Sequence, residues 1–196
     1  MPPRVRVRLS IGGDWSHVFQ QTGHSGHGEA NVAVASRTFV AVLRRDWGLT
    51  ISDAEDVSKS VDHPSVDAHA VFPSGRHLLL QVVRPLETRV YKTAAEHGRV
   101  ECRGSLSEAV NCLHQAINKK SSRKPVKGGP LRSAVTLLVD GVDAAHVALF
   151  APSLFCELHG SWAADRGWES IWVVGPTSAN RLDCTIGPVS LPNNWT

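Results

Sequence analysis

The clearest pattern in the chain is a pair of apolar segments, residues 66–72 and 77–83, in which every second residue would share one face. Such alternation is typical of β-strands with one face buried. Pro73, Ser74 and Gly75 lie between the two segments, and Gly75 suits the left-handed position that a three-residue hairpin loop favours. The sequence therefore predicts a β-hairpin.

Two polar side chains, Asp67 and Gln81, interrupt this predicted hairpin. If Phe72 pairs with Arg76 across the loop, Asp67 lies directly opposite Gln81 on one face of the hairpin. Burying two oxygen-bearing side chains is costly unless something binds them, so they form a candidate cation site. The alternative is a structural pair whose members hydrogen-bond to each other.

Apolar residues at helical spacing predict a first helix that begins at Glu29 and ends at Gly48. Glu29 lies three residues before Val32, which places it at the inner edge of the first turn. The helix dipole also favours a carboxylate there, so metal ligation and simple helix stabilisation both remain open for Glu29. The predicted buried stripe consists of Val32, Ala35, Phe39 and Val42.

A second helix is predicted where Ser105 and Glu108 form a capping box. Its buried stripe continues to Lys120, three residues after Ile117, whereas Lys119 points to the side. Lysines near helix C-termini are favoured in any case, so a solvated helix end is the alternative for Lys120. The stripe consists of Leu106, Val110, Leu113 and Ile117.

The remaining pattern predicts further strands and one more helix. Residues 4–9 alternate like an edge strand, and residues 133–141 and 170–176 are apolar enough for strands covered on both faces. A helix beginning at Pro152 and ending at Gly167 joins the last two, which predicts a parallel pair with a right-handed crossover. Irregular segments are predicted at 20–29, 84–104, 119–132 and 177–196, and a turn with a short strand at 49–64.

Composition limits the class of protein more than its function. A chain of 196 residues, 42% hydrophobic and 20% charged, is suited to a soluble fold with one core, which predicts a single domain over residues 1–196. The net charge of +3 permits a polyanionic partner without requiring one. The four cysteines show no CxxC spacing, and no signal peptide or membrane-length apolar run is present, which predicts a cytoplasmic protein without a membrane partner.

The order of these elements, together with PSVDAHAVFPSGRHLLLQVVRP, resembles the PD-(D/E)XK nuclease superfamily. The stretch is similar to the signature P-D, spacer, (E/Q)-x-K, with Ser65 and Val66 inserted between Pro64 and Asp67. The later stretch GSWAADRGWESIWVVGP is similar to the closing helix and strand of bacterial members. The likeness covers residues 29–176 and implies an α/β, restriction-endonuclease-like fold, a mixed central sheet flanked by helices.

The resemblance implies that Asp67 is the central metal ligand, Gln81 the second ligand, and Glu29 an acid added from the first helix. Magnesium or manganese suits such oxygen ligands. Either ion would lower the pKa of an attacking water and neutralise charge that develops on the phosphate.

The sequence departs from the family signature at Val83, where the lysine belongs. A basic group from a neighbouring helix is the expected replacement, because some members of the superfamily use that arrangement. Lys120 is the first candidate and Lys119 the second. Arg84 is adjacent in sequence, but strand alternation points it to the opposite face.

The implied activity is metal-dependent hydrolysis of DNA phosphodiester bonds by an endonuclease, in bacterial defence or DNA repair. RNA as substrate, and a homodimer or a partner protein that supplies specificity, are left open. The alternative is a catalytically inactive relative that serves DNA binding or complex assembly. In a nuclease the basic segment would lie along a phosphate backbone, with contacts from Lys119, Arg123, Lys124 and Lys127. A simply solvated loop is the alternative for this segment.

Other enzyme classes lack their motifs in this chain. There is no G-x-S-x-G turn for a serine hydrolase and no glycine-rich phosphate-binding loop for a nucleotide. His24 and His27 suggest a zinc site only weakly, because no third ligand accompanies them.

Overall fold

The computed structural model describes residues 4–9, 14–20, 29–57, 65–85, 96–97, 99–124, 126–141 and 152–174. Within these ranges the strands form two sheets. A three-stranded antiparallel sheet consists, in spatial order, of β1 (Arg4–Leu9), β2 (Asp14–Gln20) and β6 (Arg99–Ser105). A five-stranded sheet consists, in spatial order, of β3 (Glu55–Asp56), β4 (Ala68–Val71), β5 (His77–Val83), β7 (Val135–Asp140) and β8 (Ser170–Val174).

The five-stranded sheet is mixed and open. Strands β3, β4 and β5 pair antiparallel, whereas β5, β7 and β8 pair parallel. The parallel pairing of β7 and β8 confirms the predicted strand, helix, strand unit. The α/β class predicted from the sequence is thereby confirmed.

Three helices accompany the strands in the described residues: α1 (Glu29–Trp47), α2 (Leu106–Ser121) and α3 (Pro152–Ala164). α1 ends before Gly48, whose φ of 63° is the left-handed conformation common just after a helix. At the start of α2, the Ser105 side chain accepts from the Glu108 backbone and the Glu108 side chain accepts from the Ser105 backbone. Both predicted helix boundaries are therefore confirmed.

The five-stranded sheet has a hydrophobic core on each face. α1 packs on one face, where its buried Phe39 and Leu43 meet Leu138 of β7. α2 and α3 pack on the other face, where Leu113 and Phe155 meet residues of β7 that alternate with Leu138. Alternate residues of each strand therefore face α2, and a side chain of α2 can contact only those strand residues.

Two strands of the smaller sheet were not predicted. β6 occupies the end of the segment 84–104, which was expected to be an irregular connection, and that prediction is wrong there. β2 was not assigned from the sequence at all. These strands pair with each other over seven residues, although they are far apart in the chain, so long-range pairing outweighs their mixed polar composition.

Several other sequence predictions can be compared with the described residues. A short strand was expected over residues 56–61, whereas β3 covers Glu55–Asp56 and residues 58–61 lie outside the description. The 119–132 segment contains the last turn of α2 and the start of a short 3-10 helix, Arg132–Ala134. The histidines at 24 and 27 and the segment 177–196 lie outside the described residues. Among the helices that are described, none has both the length and the apolar character that crossing a bilayer requires.

Candidate functional site

The β4–β5 hairpin carries the first part of the site, and its loop is the predicted one. Phe72 N donates to Arg76 O and Gly75 N donates to Phe72 O, each over 2.9 Å. Gly75 has a φ of 80°, the left-handed conformation expected at this position. The predicted pairing of Phe72 with Arg76 is therefore confirmed.

The register changes at Asp67. The last ladder pair joins Ala68 to Leu80, yet Asp67 N also donates to Leu80 O over 2.8 Å. Two residues against one is the arrangement of a β-bulge. Asp67 therefore does not lie directly opposite Gln81, and the predicted pairing of these two positions is wrong. The Oδ2 atom of Asp67 accepts from Val82 N over 2.7 Å.

The turn before Asp67 is strained and is held by Gln81. Ser65 has a φ of 71°, a conformation that costs a residue other than glycine about 1–3 kcal/mol. Gln81 Nε2 donates to Ser65 O over 2.8 Å. The proposed structural pairing of Asp67 with Gln81 is therefore wrong: each side chain hydrogen-bonds to a backbone group instead.

Lys120 extends from the last turn of α2 towards Asp67. Its Nζ lies 3.9 Å from Asp67 Oδ2, and the Lys120 side chain is only 16% exposed. α2 brings it there because Leu113 and Ile117, earlier on the same stripe, are buried against the sheet. Lys119 is exposed. The structure thus brings the first candidate lysine to the carboxylate.

The surroundings of Lys120 lower its pKa below the ordinary value for lysine. Burial is the main cause, because it disfavours the charged ammonium. The Asp67 carboxylate acts in the opposite direction, while the nearby charges of Arg123 and Lys119 lower the pKa further. Such a perturbed lysine beside a carboxylate is typical of functional sites, although structural ion pairs also produce it.

Val83, at the position where the family signature has a lysine, is a core residue in this chain. Val83 is 7% exposed and packs in the cluster formed by α2, α3 and the sheet. Arg84 Nε, by contrast, lies 3.5 Å from Oδ2 of the buried Asp140. Arg84 therefore has a structural partner, as expected for a side chain on the other face.

Two oxygen atoms of the site could bind a cation. Within the described part of the chain, Asp67 Oδ1 and Gln81 Oε1 accept no hydrogen bond, since the contacts above use the other side-chain atoms. One carboxylate and one amide oxygen, completed by water and phosphate oxygens, suit magnesium or manganese. Glu29 opens α1, but its side chain lies outside the description, so its role as a ligand stays a prediction.

A softer metal has less support among the described residues. No group of three or more histidine, cysteine, aspartate or glutamate side chains in that part of the chain is placed to hold an ion. The oxygen pair of Asp67 and Gln81 is the candidate cation site because neither oxygen accepts a hydrogen bond within the described residues.

An open pocket, called here the basic pocket, adjoins the site. Four of its lining residues are basic and none is acidic. Of the residues predicted to bind nucleic acid, Arg123 and Lys124 line it, whereas Lys119 and Lys127 are exposed outside it. The lining residues are Ser65, Gln81, Lys120, Arg123, Lys124, Val126, Pro130, Arg132, Val135 and Trp168.

Arg132 and Trp168 are pocket residues that the site prediction missed. The Arg132 guanidinium carbon lies 5.3 Å from the Trp168 ring centroid, and its nitrogens donate to the backbone oxygens of Arg123 and Arg166 over 2.9 and 3.3 Å. Trp168 Nε1 donates to Ser121 Oγ over 2.9 Å. A signal was present, because the two residues precede strands predicted to be parallel, and parallel strands begin at the same edge.

Comparisons of the chain with protein-family models, with curated proteins and with solved structures gave no match. The site itself is therefore the basis for assigning a function. It combines two available oxygen ligands, a largely buried ammonium group and a pocket of four basic residues. This combination is suited to holding a phosphodiester beside a divalent cation.

Proposed function

We propose that the protein is a metal-dependent endonuclease that hydrolyses DNA phosphodiester bonds on a restriction-endonuclease-like core. The observation that carries this proposal is the 3.9 Å distance between Lys120 Nζ and Asp67 Oδ2. The family signature places a lysine at the position of Val83, and the proposal requires another basic group at the same carboxylate. Lys120 supplies one from α2. Bacterial defence or DNA repair is the setting that the family resemblance suggests.

Asp67 and Gln81 would hold magnesium or manganese, with Glu29 as the predicted additional ligand. When bound, the ion lowers the pKa of a water molecule and neutralises charge on the phosphate. The chain orients both ligands in advance, because Val82 N holds Asp67 Oδ2 and Ser65 O accepts from the Gln81 amide nitrogen. Ligands fixed in this way lose little conformational freedom on binding.

Lys120 would act on the negative charge that develops at the phosphate. Its ammonium group can donate a hydrogen bond to a phosphate oxygen or to the attacking water. Burial strengthens that interaction because the surroundings have a lower effective dielectric constant than water. The same burial lowers the Lys120 pKa, so proton transfer to and from the group becomes easier than for an exposed lysine.

The second candidate function is a catalytically inactive module for DNA binding or complex assembly. Specific observations favour it: Gln81 brings no charge, and Asp67 already accepts from Val82 N and lies beside Lys120. An amide in place of a carboxylate weakens metal binding because its oxygen is neutral. The basic pocket would still bind a phosphate backbone in such a module.

The test is digestion of plasmid and single-stranded DNA with magnesium or manganese, with an EDTA control. We expect metal-dependent cleavage by the wild type and a loss of about 100-fold or more in Asp67→Asn, which keeps the shape of the side chain. Lys120→Met should show a comparable loss. Arg37→Ala is the control, because this exposed cation on α1 lies outside the basic pocket, and it should cleave normally.

Other outcomes would decide against the nuclease. Cleavage that persists in EDTA, or an Asp67→Asn variant as active as the wild type, contradicts the proposal. If the wild type binds DNA but cleaves none of the substrates with either metal, the inactive binding module is the better assignment.

A further inference from the structure

The basic pocket combines two chemically different kinds of side chain. A site for phosphate alone needs the cations but no apolar residues, and a site for an apolar ligand needs no cations. A nucleotide has both an anionic phosphate and a base with apolar faces. Besides Lys120, the cations are Arg123, Lys124 and Arg132, and the apolar lining residues are Val126, Pro130, Val135 and Trp168.

Arg132 is preorganised to bind an anion. Its guanidinium lies over the Trp168 ring and donates to the backbone oxygens of Arg123 and Arg166. A guanidinium has more N–H donors than these two bonds use. Because the side chain is already fixed, little conformational entropy is lost when a phosphate binds.

Apolar side chains near the pocket are unusually exposed. Val126, in the lining, is 53% exposed, and Leu131, between two lining residues, is 74% exposed. Such residues contribute nothing to phosphate binding, but they can contact the face of a nucleotide base. Base faces are stacked inside a duplex, so only an unpaired nucleotide presents them.

We propose that the basic pocket binds an unpaired nucleotide of a DNA strand, with its phosphate at Arg123, Lys124 and Arg132 and its base against Val126. The pocket thereby makes single-stranded DNA, or an unpaired region, the preferred ligand. This inference rests on the proposed function for the statement that the bound strand is the one cleaved beside Asp67. Binding itself can be measured without cleavage.

The experiment is fluorescence anisotropy of a labelled oligonucleotide, single-stranded or annealed to its complement, in EDTA. We expect the wild type to bind the single strand about tenfold more tightly than the duplex, because only an unpaired base can contact Val126. Val126→Ser should lose about fivefold for the single strand with little change for the duplex. Lys124→Ala should weaken both, and Arg37→Ala, an exposed cation on α1, should weaken neither.

Equal or tighter binding of the duplex, or an unchanged Val126→Ser, overturns the inference. If inorganic phosphate displaces the oligonucleotide as well as a mononucleotide does, the pocket is an anion site without a base contact, and the inference again fails. Single-strand preference without metal-dependent cleavage would retain the inference but refute the nuclease. Asp67-dependent cleavage with duplex preference would retain the nuclease and refute the inference.

Discussion

The Lys120 side chain occupies a position that disfavours its own charge. Burial lowers its pKa more than the nearby Asp67 carboxylate raises it. An ion pair formed only for stability would be expected to show the reverse balance, because the partner would have to offset the desolvation of both groups. The pKa balance at Lys120 therefore agrees with the catalytic role proposed for it.

Replacing Lys120 with methionine should test this balance through stability. Because the folded pKa lies below the unfolded value, Lys120 binds its proton more weakly in the folded state, and stability is lost as pH falls from the unfolded pKa through the folded pKa. Below the folded pKa that loss is fully present. We expect Lys120→Met to have an unfolding free energy in urea equal to or above that of the wild type.

The outcome that contradicts this prediction is a loss of more than about 1 kcal/mol, which would show that the ion pair with Asp67 stabilises the fold. Lys127→Met serves as the control, since it removes an exposed lysine that is not among the charges acting on Lys120.

The sequence was sufficient to predict which residues lie in the site, but not which hydrogen bonds they make. Strand alternation and the helical stripe were sufficient to select Asp67, Gln81 and Lys120, because both patterns follow from local geometry. The bulge at Asp67 and the left-handed conformation of Ser65 depend on the surrounding backbone. Neither feature can be predicted from the residue types at these positions. Arg132 contacts Trp168 only because β7 and β8 are neighbours in the sheet.

At the scale of elements, α2 and α3 meet through a group of aromatic rings. The His114 ring of α2 stacks on Trp162 of α3, with centroids 3.9 Å apart and planes inclined by 21°. His159 lies 5.2 Å from His114 between centroids. Burial lowers the pKa of His114, and the charges of His159 and Arg166 lower it further. Protonation of His114 is therefore unfavourable while the two helices are packed.

Stability should accordingly fall in mild acid. With a folded pKa below its unfolded value, His114 takes up its proton more readily when unfolded, so stability is lost as pH falls from the unfolded pKa through the folded pKa. His114→Phe keeps an aromatic ring on Trp162 but cannot be protonated. We expect its urea midpoint to change less than that of the wild type between about pH 7.5 and about pH 5.

The matched control is His97→Phe, an exposed histidine outside these helices, which should retain the acid sensitivity of the wild type. An acid-induced loss of the same size in His114→Phe would show that another group causes it.

Whole elements were predictable where their signals are local. The capping box of α2, the glycine after α1 and the loop of the β4–β5 hairpin each lie within a few residues of the boundary they set. β6 could not be assigned because its partner strand β2 is far away in the chain, and because it contains the strand-disfavouring Gly104 opposite Trp15. β2 lies between β1 and β6, and its mixed polar composition gives no clear strand pattern.

At the scale of the whole molecule, the charge is distributed unevenly. Residues 109–139 contain six basic residues and no acidic residue. The rest of the chain therefore has fifteen basic and eighteen acidic residues, a net negative charge that the overall value of +3 conceals. The basic segment includes the four cations of the pocket, so a polyanion should be attracted to this region first.

The salt dependence of binding measures how many phosphates this segment contacts. For single-stranded DNA, the logarithm of the association constant should fall with the logarithm of salt concentration by about 0.7 for each phosphate neutralised. Replacing Arg123 and Lys124 together with alanine should reduce the slope by about 1.4, measured by anisotropy across a salt series. A slope equal to that of the wild type would place the phosphate backbone elsewhere, and Arg37→Ala provides the reference variant.

The burial of Val83 beside α2 has a consequence for how positions 83 and 120 would evolve. If the proposed function is correct, lysine at 83 and lysine at 120 would bring two ammonium groups to one carboxylate, and lysine at neither position would leave Asp67 without a cation. In homologous chains the two positions should therefore exchange together, with lysine at one and an apolar residue at the other. Substitutions at these positions should therefore be coupled in descent, although the positions lie on different elements of the fold.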